Sequence, residues 1–209
     1  MIPEHTAAAL DALDPDLSAR LRFALEADSL KSVLRRNSIT DGSRRENSGE
    51  HSWHLALMAL VLAPHSREPV DLAVVVEMLL VHDLVEIDAG DAFVYDTDAR
   101  AQKEELEPRA ADRLFKLVPG EIGTRLRARW DEFEARTTPE AQFAHSVDRL
   151  APLLLNHANH GELWTNYGIT ADRALAYNAH IADGSPDLWA AARAVLDDAS
   201  ANGWFMTEP

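Results

Sequence analysis

The chain has no cysteine among its 209 residues. Disulfide scaffolds, cysteine nucleophiles, zinc fingers and iron–sulfur centres are therefore excluded. A cysteine-free composition fits a reducing compartment. Positive charge is scarce: 20 Lys and Arg face 35 Asp and Glu, a formal net charge of −15. A chain this acidic is repelled by nucleic-acid backbones, so bulk nucleic acid is not an expected partner. No apolar run approaches the ~20 residues of a membrane-spanning helix. Met1-Ile2-Pro3-Glu4-His5 carries acid where a secretion signal needs base. No phosphate-binding Gly-rich loop, dinucleotide fingerprint, Gly-x-Ser-x-Gly elbow or His-Glu-x-x-His motif occurs. The expectation is a cytoplasmic protein with no membrane partner.

What is abundant is helix-forming sequence: 34 Ala and 27 Leu. The 9 Gly and 10 Pro fall between periodic segments. The reading is an all-α fold, a single domain over residues 1–209 with about eight helices. Leu10, Leu13, Leu17, Leu21 and Leu25 form one stripe of a first helix running to about Leu34. A second helix spans about Ser48–Ala63. Pro69 opens a third, apolar nearly all round from Leu72 and so expected to be central. Further helices are expected at roughly 99–117, 120–134, 139–159, 170–181 and 186–201. Residues 36–45 and 91–97 read as loops, and no segment reads as a strand with a partner.

His82-Asp83 closes the most apolar helix of the chain. Burying an ionised carboxylate is costly unless it is paired or bound to a metal. The bland alternative is a capping Asp beside a satisfied core histidine. The pair is not isolated, however. His51 sits in the first turn of the second helix. Asp148 lies in line with Ala141, Ala144, Ala151 and Leu155 at spacings of 3 and 4, where a carboxylate is odd unless it faces a cation. Otherwise it is a surface Asp paired with Arg149 or Arg45. Together His51, His82, Asp83 and Asp148 offer two imidazoles and two carboxylates from three helices, the way bundle cores build metal sites. Nitrogen and oxygen donors without thiolate suit one divalent Mn, Fe, Co, Ni, Zn or Mg ion. Glu86 follows His82 by four residues, and Asp91 follows a glycine. Carboxylates there could activate water and protonate a leaving group, or simply form a solvated acidic surface. Residues 31–45 reverse the local charge: Lys31, Arg35, Arg36, Arg44 and Arg45 face only Asp41. Arginine forks suit phosphate oxygens, although such charges also balance acids elsewhere.

The order His51, His82-Asp83, Asp148 resembles the HD-domain metal-dependent phosphohydrolase superfamily, and within it the 5′-deoxynucleotidase branch. Arg44-Arg45-Glu46-Asn47-Ser48-Gly49-Glu50-His51 is similar to that branch's Arg-x-Glu-Asn-x-x-Glu-His stretch. His82-Asp83-Leu84-Val85-Glu86 with Gly90-Asp91, Leu30-Lys31-Ser32-Val33-Leu34-Arg35 and Ser146-Val147-Asp148-Arg149-Leu150 match three more of its segments. The resemblance covers about residues 20–160, the expected metal-binding core, on which helices of 161–209 would pack. It implies an all-helical HD fold with one divalent metal on His51, His82, Asp83 and Asp148. Glu86 and Asp91 become the catalytic carboxylates. Arg35, with Arg44 or Arg45, holds the phosphate of a small-molecule monoester, foremost a (deoxy)nucleoside 5′-monophosphate. The chain departs from the branch after Arg35, where Arg36-Asn37 stands in place of a tryptophan. Two alternatives remain: hydrolysis of a nucleoside triphosphate or alarmone pyrophosphate, and a non-catalytic metal-binding regulator. Trp164, Trp189 and Trp204 suit a homodimer contact or core packing equally.

Overall fold

The structure is a computed structural model that describes residues 2–91, 95 and 97–207. Helices α1 (Glu4–Asp11) and α2 (Pro15–Ala27) replace the single first helix expected from the leucine spacing. Pro15 occupies the first turn of α2, and the Asp14 side chain accepts from the Asp16 and Leu17 amides at 3.1 Å. A capped proline start of this kind ends the preceding helix. Leu10 is buried, but Leu13, Leu17, Leu21 and Leu25 stay 38–48% exposed.

A 3₁₀ turn (Asp28–Ser32) leads into a hairpin of β1 (Leu34–Ser38) and β2 (Arg45–Asn47). The strands are antiparallel, with Leu34 opposite Asn47, Ser38 opposite Arg45 and an irregularity between. This corrects the loop expected at 36–45. Asn47 then caps α3 (Ser48–Leu62). Its side chain accepts from the Glu50 amide at 2.9 Å while Glu50 accepts from the Asn47 amide at 2.7 Å, a reciprocal capping box.

Helix α4 (Leu72–Val81) begins at the Asp71 cap rather than at Pro69. It passes into a 3₁₀ turn (His82–Val85) and the short α5 (Glu86–Ala89). Gly90 follows with φ +76°, a conformation glycine adopts without penalty. The loop expected at 91–97 lies largely outside the described residues. Next come α6 (Thr97–Phe115), α7 (Gly120–Ala135), α8 (Pro139–Ala158), α9 (Glu162–Asn166), α10 (Ala171–Asn178), α11 (Ile181–Gly184) and α12 (Pro186–Ala201).

Helix α8 is the axis of the fold. Its Phe143, Val147, Leu150 and Ala151 share one buried cluster with Leu55 of α3, Met78 and Leu79 of α4, Ile181 of α11 and Leu196 of α12. A second cluster joins Val81, Leu84 and Val85 to Leu30, Leu114, Phe115 and Trp130. The end of α4 and the His82–Val85 turn thus bridge two cores. Each fully buried large apolar side chain contributes about 1.5–3 kcal/mol, so this turn is firmly anchored. Gly184 lets α11 lie against α8: a Cβ there would stand 2.2 Å from the Gln142 carbonyl oxygen.

Candidate metal centre and cavity

Three pieces of backbone bring the polar cluster together. The first turn of α3 supplies His51, the turn between α4 and α5 supplies His82 and Asp83, and the middle of α8 supplies Asp148. All four are buried. One ligand atom each from His51, His82 and Asp83 lies within 4.8 Å of the others. Asp148 Oδ1 is 3.2 Å from His51 Nε2 and 3.8 Å from His82 Nε2. The four residues singled out in the sequence therefore converge.

The orientation of each imidazole has a cause. His82 Nδ1 lies 2.9 Å from the Leu79 carbonyl, which can only accept, so Nδ1 carries the hydrogen. Its Nε2 is then a lone pair, buried and without a hydrogen bond, 3.1 Å from Asp83 Oδ1. Burial lowers the His82 pKa; Asp83 and Asp148 oppose this without reversing it. His51 has its Nδ1 3.1 Å from Glu46 Oε2, off the line of a hydrogen bond, and its Nε2 against Asp148. Burial and Arg35 disfavour a proton on His51. The hydrogen bond to Asp148 and the carboxylate of Glu46 beside the ring outweigh them and lift its pKa to about 9. Burial likewise opposes the charge on Asp148, yet His51, Arg149 and His82 hold its pKa well below the usual carboxylate value. The cluster holds more lone pairs than protons, with an orphaned nitrogen at its centre. Such a donor set fits a divalent cation.

The hairpin explains the arginines. Alternation along β1 turns Arg35 and Asn37 inward and leaves Arg36 exposed; along β2 it buries Glu46 between two less buried neighbours. Arg35 Nη1 donates to Asp83 Oδ2 at 2.9 Å, and its Nε lies 3.4 Å from Glu46 Oε2. Burial disfavours its charge, but Asp83, Glu86, Asp91 and Asp148 more than compensate. Arg44 instead makes a bidentate pair with Glu50, at 2.5 and 2.8 Å, out in solvent. Arg45 is exposed on β2. Neither lines the cavity described next: Arg45 points away from Glu46 on β2, and Arg44, just before the strand, is drawn off by Glu50.

A cavity opens on the cluster. Arg35, Asp83, Glu86, Asp91, Asp148 and Arg149 line its charged end. Tyr95, Tyr177, Trp164, Asn37, Asn156 and Asn178 form much of its remaining wall. Glu86 is buried, and its Oε2 accepts from Ser48 Oγ at 2.7 Å. Asp91 is only partly buried. Glu46, Ser48 and Arg149 have parts in this arrangement that the sequence does not reveal. The signal for Glu46 and Ser48 is their place in the stretch leading to His51.

Fold and site together define a helical domain with a buried His/Asp cluster, able to hold a metal ion, beneath a mixed polar and aromatic cavity. Residues 27–189 match the HD domain family, and the chain belongs to that family. It is similar to the crystal structure of a predicted metal-dependent phosphohydrolase from Magnetospirillum magnetotacticum MS-1. The identity is 43%, covering 99% of this chain and 100% of that one, with a TM-score of 0.87. It is 29% identical over 135 residues to the 5′-deoxynucleotidase HDDC2 of Bos taurus, 64% of each protein's length. The human protein of that name is 27% identical over 135 residues, 64% of this chain and 65% of its own. The chain thus spans just under two thirds of these curated relatives. No helix among the described residues is long and apolar enough to cross a membrane.

Proposed function

We propose that this chain hydrolyses a phosphate monoester, foremost a (deoxy)nucleoside 5′-monophosphate, with the help of one divalent cation. The single observation that carries the reading is the meeting, in one cavity, of the His51, His82, Asp83 and Asp148 cluster with Glu86 and Arg35. Those four side chains would hold the cation. When bound, such a cation supplies Lewis acidity toward water and phosphoryl oxygens.

The chain's own residues would do the rest. Glu86, fixed by Ser48, is the general base that takes a proton from the attacking water. Asp91, at the cavity edge, gives a proton to the departing alcohol. Arg35 neutralises phosphate charge as it builds in the transition state. The aromatic rings and amides of the wall suit a nucleoside. The named activity of the curated relatives and of the Magnetospirillum protein supports the same class. Arg44 and Arg45 have no part in it.

The test is product analysis. Protein loaded in turn with Mn, Co, Zn, Fe, Ni or Mg is given nucleoside mono- and triphosphates and an alarmone. Orthophosphate released from monophosphates is the expected result. Pyrophosphate or triphosphate release instead would assign the other hydrolytic chemistry. Inertness toward every ester with metal bound would favour a regulator.

A further inference from the structure

One partly buried cation has an incomplete set of partners. Arg149 follows Asp148 on α8, and its side chain is only 18% exposed. A long cationic side chain is seldom buried without a counter-charge. Arg35, the other partly buried arginine of the cavity, faces two carboxylates, Asp83 and Glu46. Among the described residues, Arg149 has one carboxylate within ion-pair distance, Asp148, whose Oδ2 is 3.6 Å from its Nε. That carboxylate's other oxygen is committed to His51 and His82. The Nε of Arg149 is buried and makes no hydrogen bond.

The guanidinium is nevertheless held in place. Its Nη1 donates to the Tyr177 hydroxyl at 2.7 Å, and its Cζ sits 5.1 Å from the Tyr177 ring centroid. Tyr177 belongs to α10, so one short helix fixes where this charge points. Both Arg149 and Tyr177 line the cavity, together with Arg35. In a chain of net charge −15, an arginine buried against a tyrosine and aimed at a cavity is not placed there for surface balance.

We propose that Arg149, positioned by Tyr177, is a substrate-contacting residue: a second anion-binding arm of the cavity in addition to Arg35. The inference rests on the phosphatase reading above and narrows it. Arg35, Arg149 and a cation together match a terminal phosphoryl group, which has three non-bridging oxygens and two negative charges. A phosphodiester has two such oxygens and one charge. Arg149 therefore makes the site selective for monoesters over diesters.

The probe is inorganic phosphate, titrated into metal-loaded wild type and into R149K, R149Q and Y177F, with metal content measured on each. Loss of a charge-assisted hydrogen bond weakens binding about 10-fold or more. R149Q is expected to raise the phosphate Kd and the monoester KM by that factor while metal stoichiometry stays as in wild type. R149K should fall between the two, and Y177F should show a smaller loss of the same kind. Phosphate binding unchanged in a folded R149Q overturns the proposal. So does weakened metal binding at unchanged phosphate affinity, which would make Arg149 only a counter-ion of Asp148. If R149Q does not fold, R149K and Y177F decide by the same criteria. Wild type that binds phosphate through Arg149 yet hydrolyses no ester would sink the hydrolase reading and leave the arm standing.

Discussion

Glu46 Oε2 lies 3.1 Å from His51 Nδ1, on the side of the imidazole away from Asp148. Carboxylates behind metal-binding histidines set ring orientation and basicity, and losing one typically costs about 10–100-fold in metal affinity. Glu46→Gln is therefore expected to weaken cation binding in that range without removing a ligand. Calorimetric metal titration checks it. Unchanged affinity would show that Glu46 serves Arg35 alone.

The buried hydrogen bond between Ser48 and Glu86 allows the proposed base to be tested apart from metal binding. A positioned general base contributes about 10²–10⁴-fold to rate. Glu86→Gln should lower kcat within that range with the cation still bound. Ser48→Ala, which removes only the 2.7 Å hydrogen bond to Glu86, should cost less. Steady-state kinetics alongside metal analysis separates the two effects. Loss of metal in both variants would contradict the role given to Glu86.

His145 makes stability depend on pH. It is buried, its Nε2 donates to the Phe133 carbonyl at 2.8 Å, and its ring stacks on Phe133. Burial, helped by Arg136, pushes its pKa down to about 3, although Asp148 opposes this. The folded protein thus keeps His145 neutral where the unfolded chain, with an ordinary histidine near pH 6.5, takes up a proton. Stability from this residue is complete above that pH and is lost progressively as pH falls toward 3. The loss amounts to about 2 kcal/mol by pH 5. His145→Gln should flatten that part of the acid limb in urea denaturation curves measured from pH 8 to 5. An acid limb as steep as that of wild type would refute the assignment.

Gly184 is required by packing rather than by its backbone angles. A Cβ at this position would meet the Gln142 carbonyl oxygen at 2.2 Å and the Phe143 nitrogen at 2.5 Å, both backbone atoms of α8. Neither can swing aside. Gly184→Ala should destabilise the fold by about 1–3 kcal/mol, the usual cost of overpacking. A fall in the urea midpoint is expected, and a midpoint equal to wild type would show that α11 can move away freely.

The long periodic helices were legible from sequence because capping and punctuation agreed with the apolar pattern. Ser48–Leu62 and Pro186–Ala201 fall almost where Asn47, Ser185 and Pro186 place them. Helix α2 was misjudged because leucines at helical spacing outweighed Pro15, although most of those leucines face solvent. The hairpin was not legible. Its inward residues, Arg35, Asn37 and Glu46, are polar, so the alternation that marks a strand has no hydropathy signal. His82, Asp83 and Asp148 stand out because each is a charged or imidazole group in an apolar line; His51 stands out only beside them. Glu46, Ser48 and Arg149 do not, since their surroundings come from distant parts of the chain. Proximity to His51 along the chain marks Arg44 and Arg45 as phosphate ligands but is no guide to direction: Arg45 is exposed on β2, and Arg44 pairs with Glu50.

If His51, His82, Asp83 and Asp148 hold one cation on which the chemistry depends, removing one ligand must remove both. Asp83→Ala tests it most directly, through metal content by elemental analysis and orthophosphate release from nucleoside 5′-monophosphates, measured on the same preparation. The account predicts that bound cation and turnover vanish together in a protein that remains folded. Full turnover by that variant, or turnover lost with a full complement of metal, would contradict it.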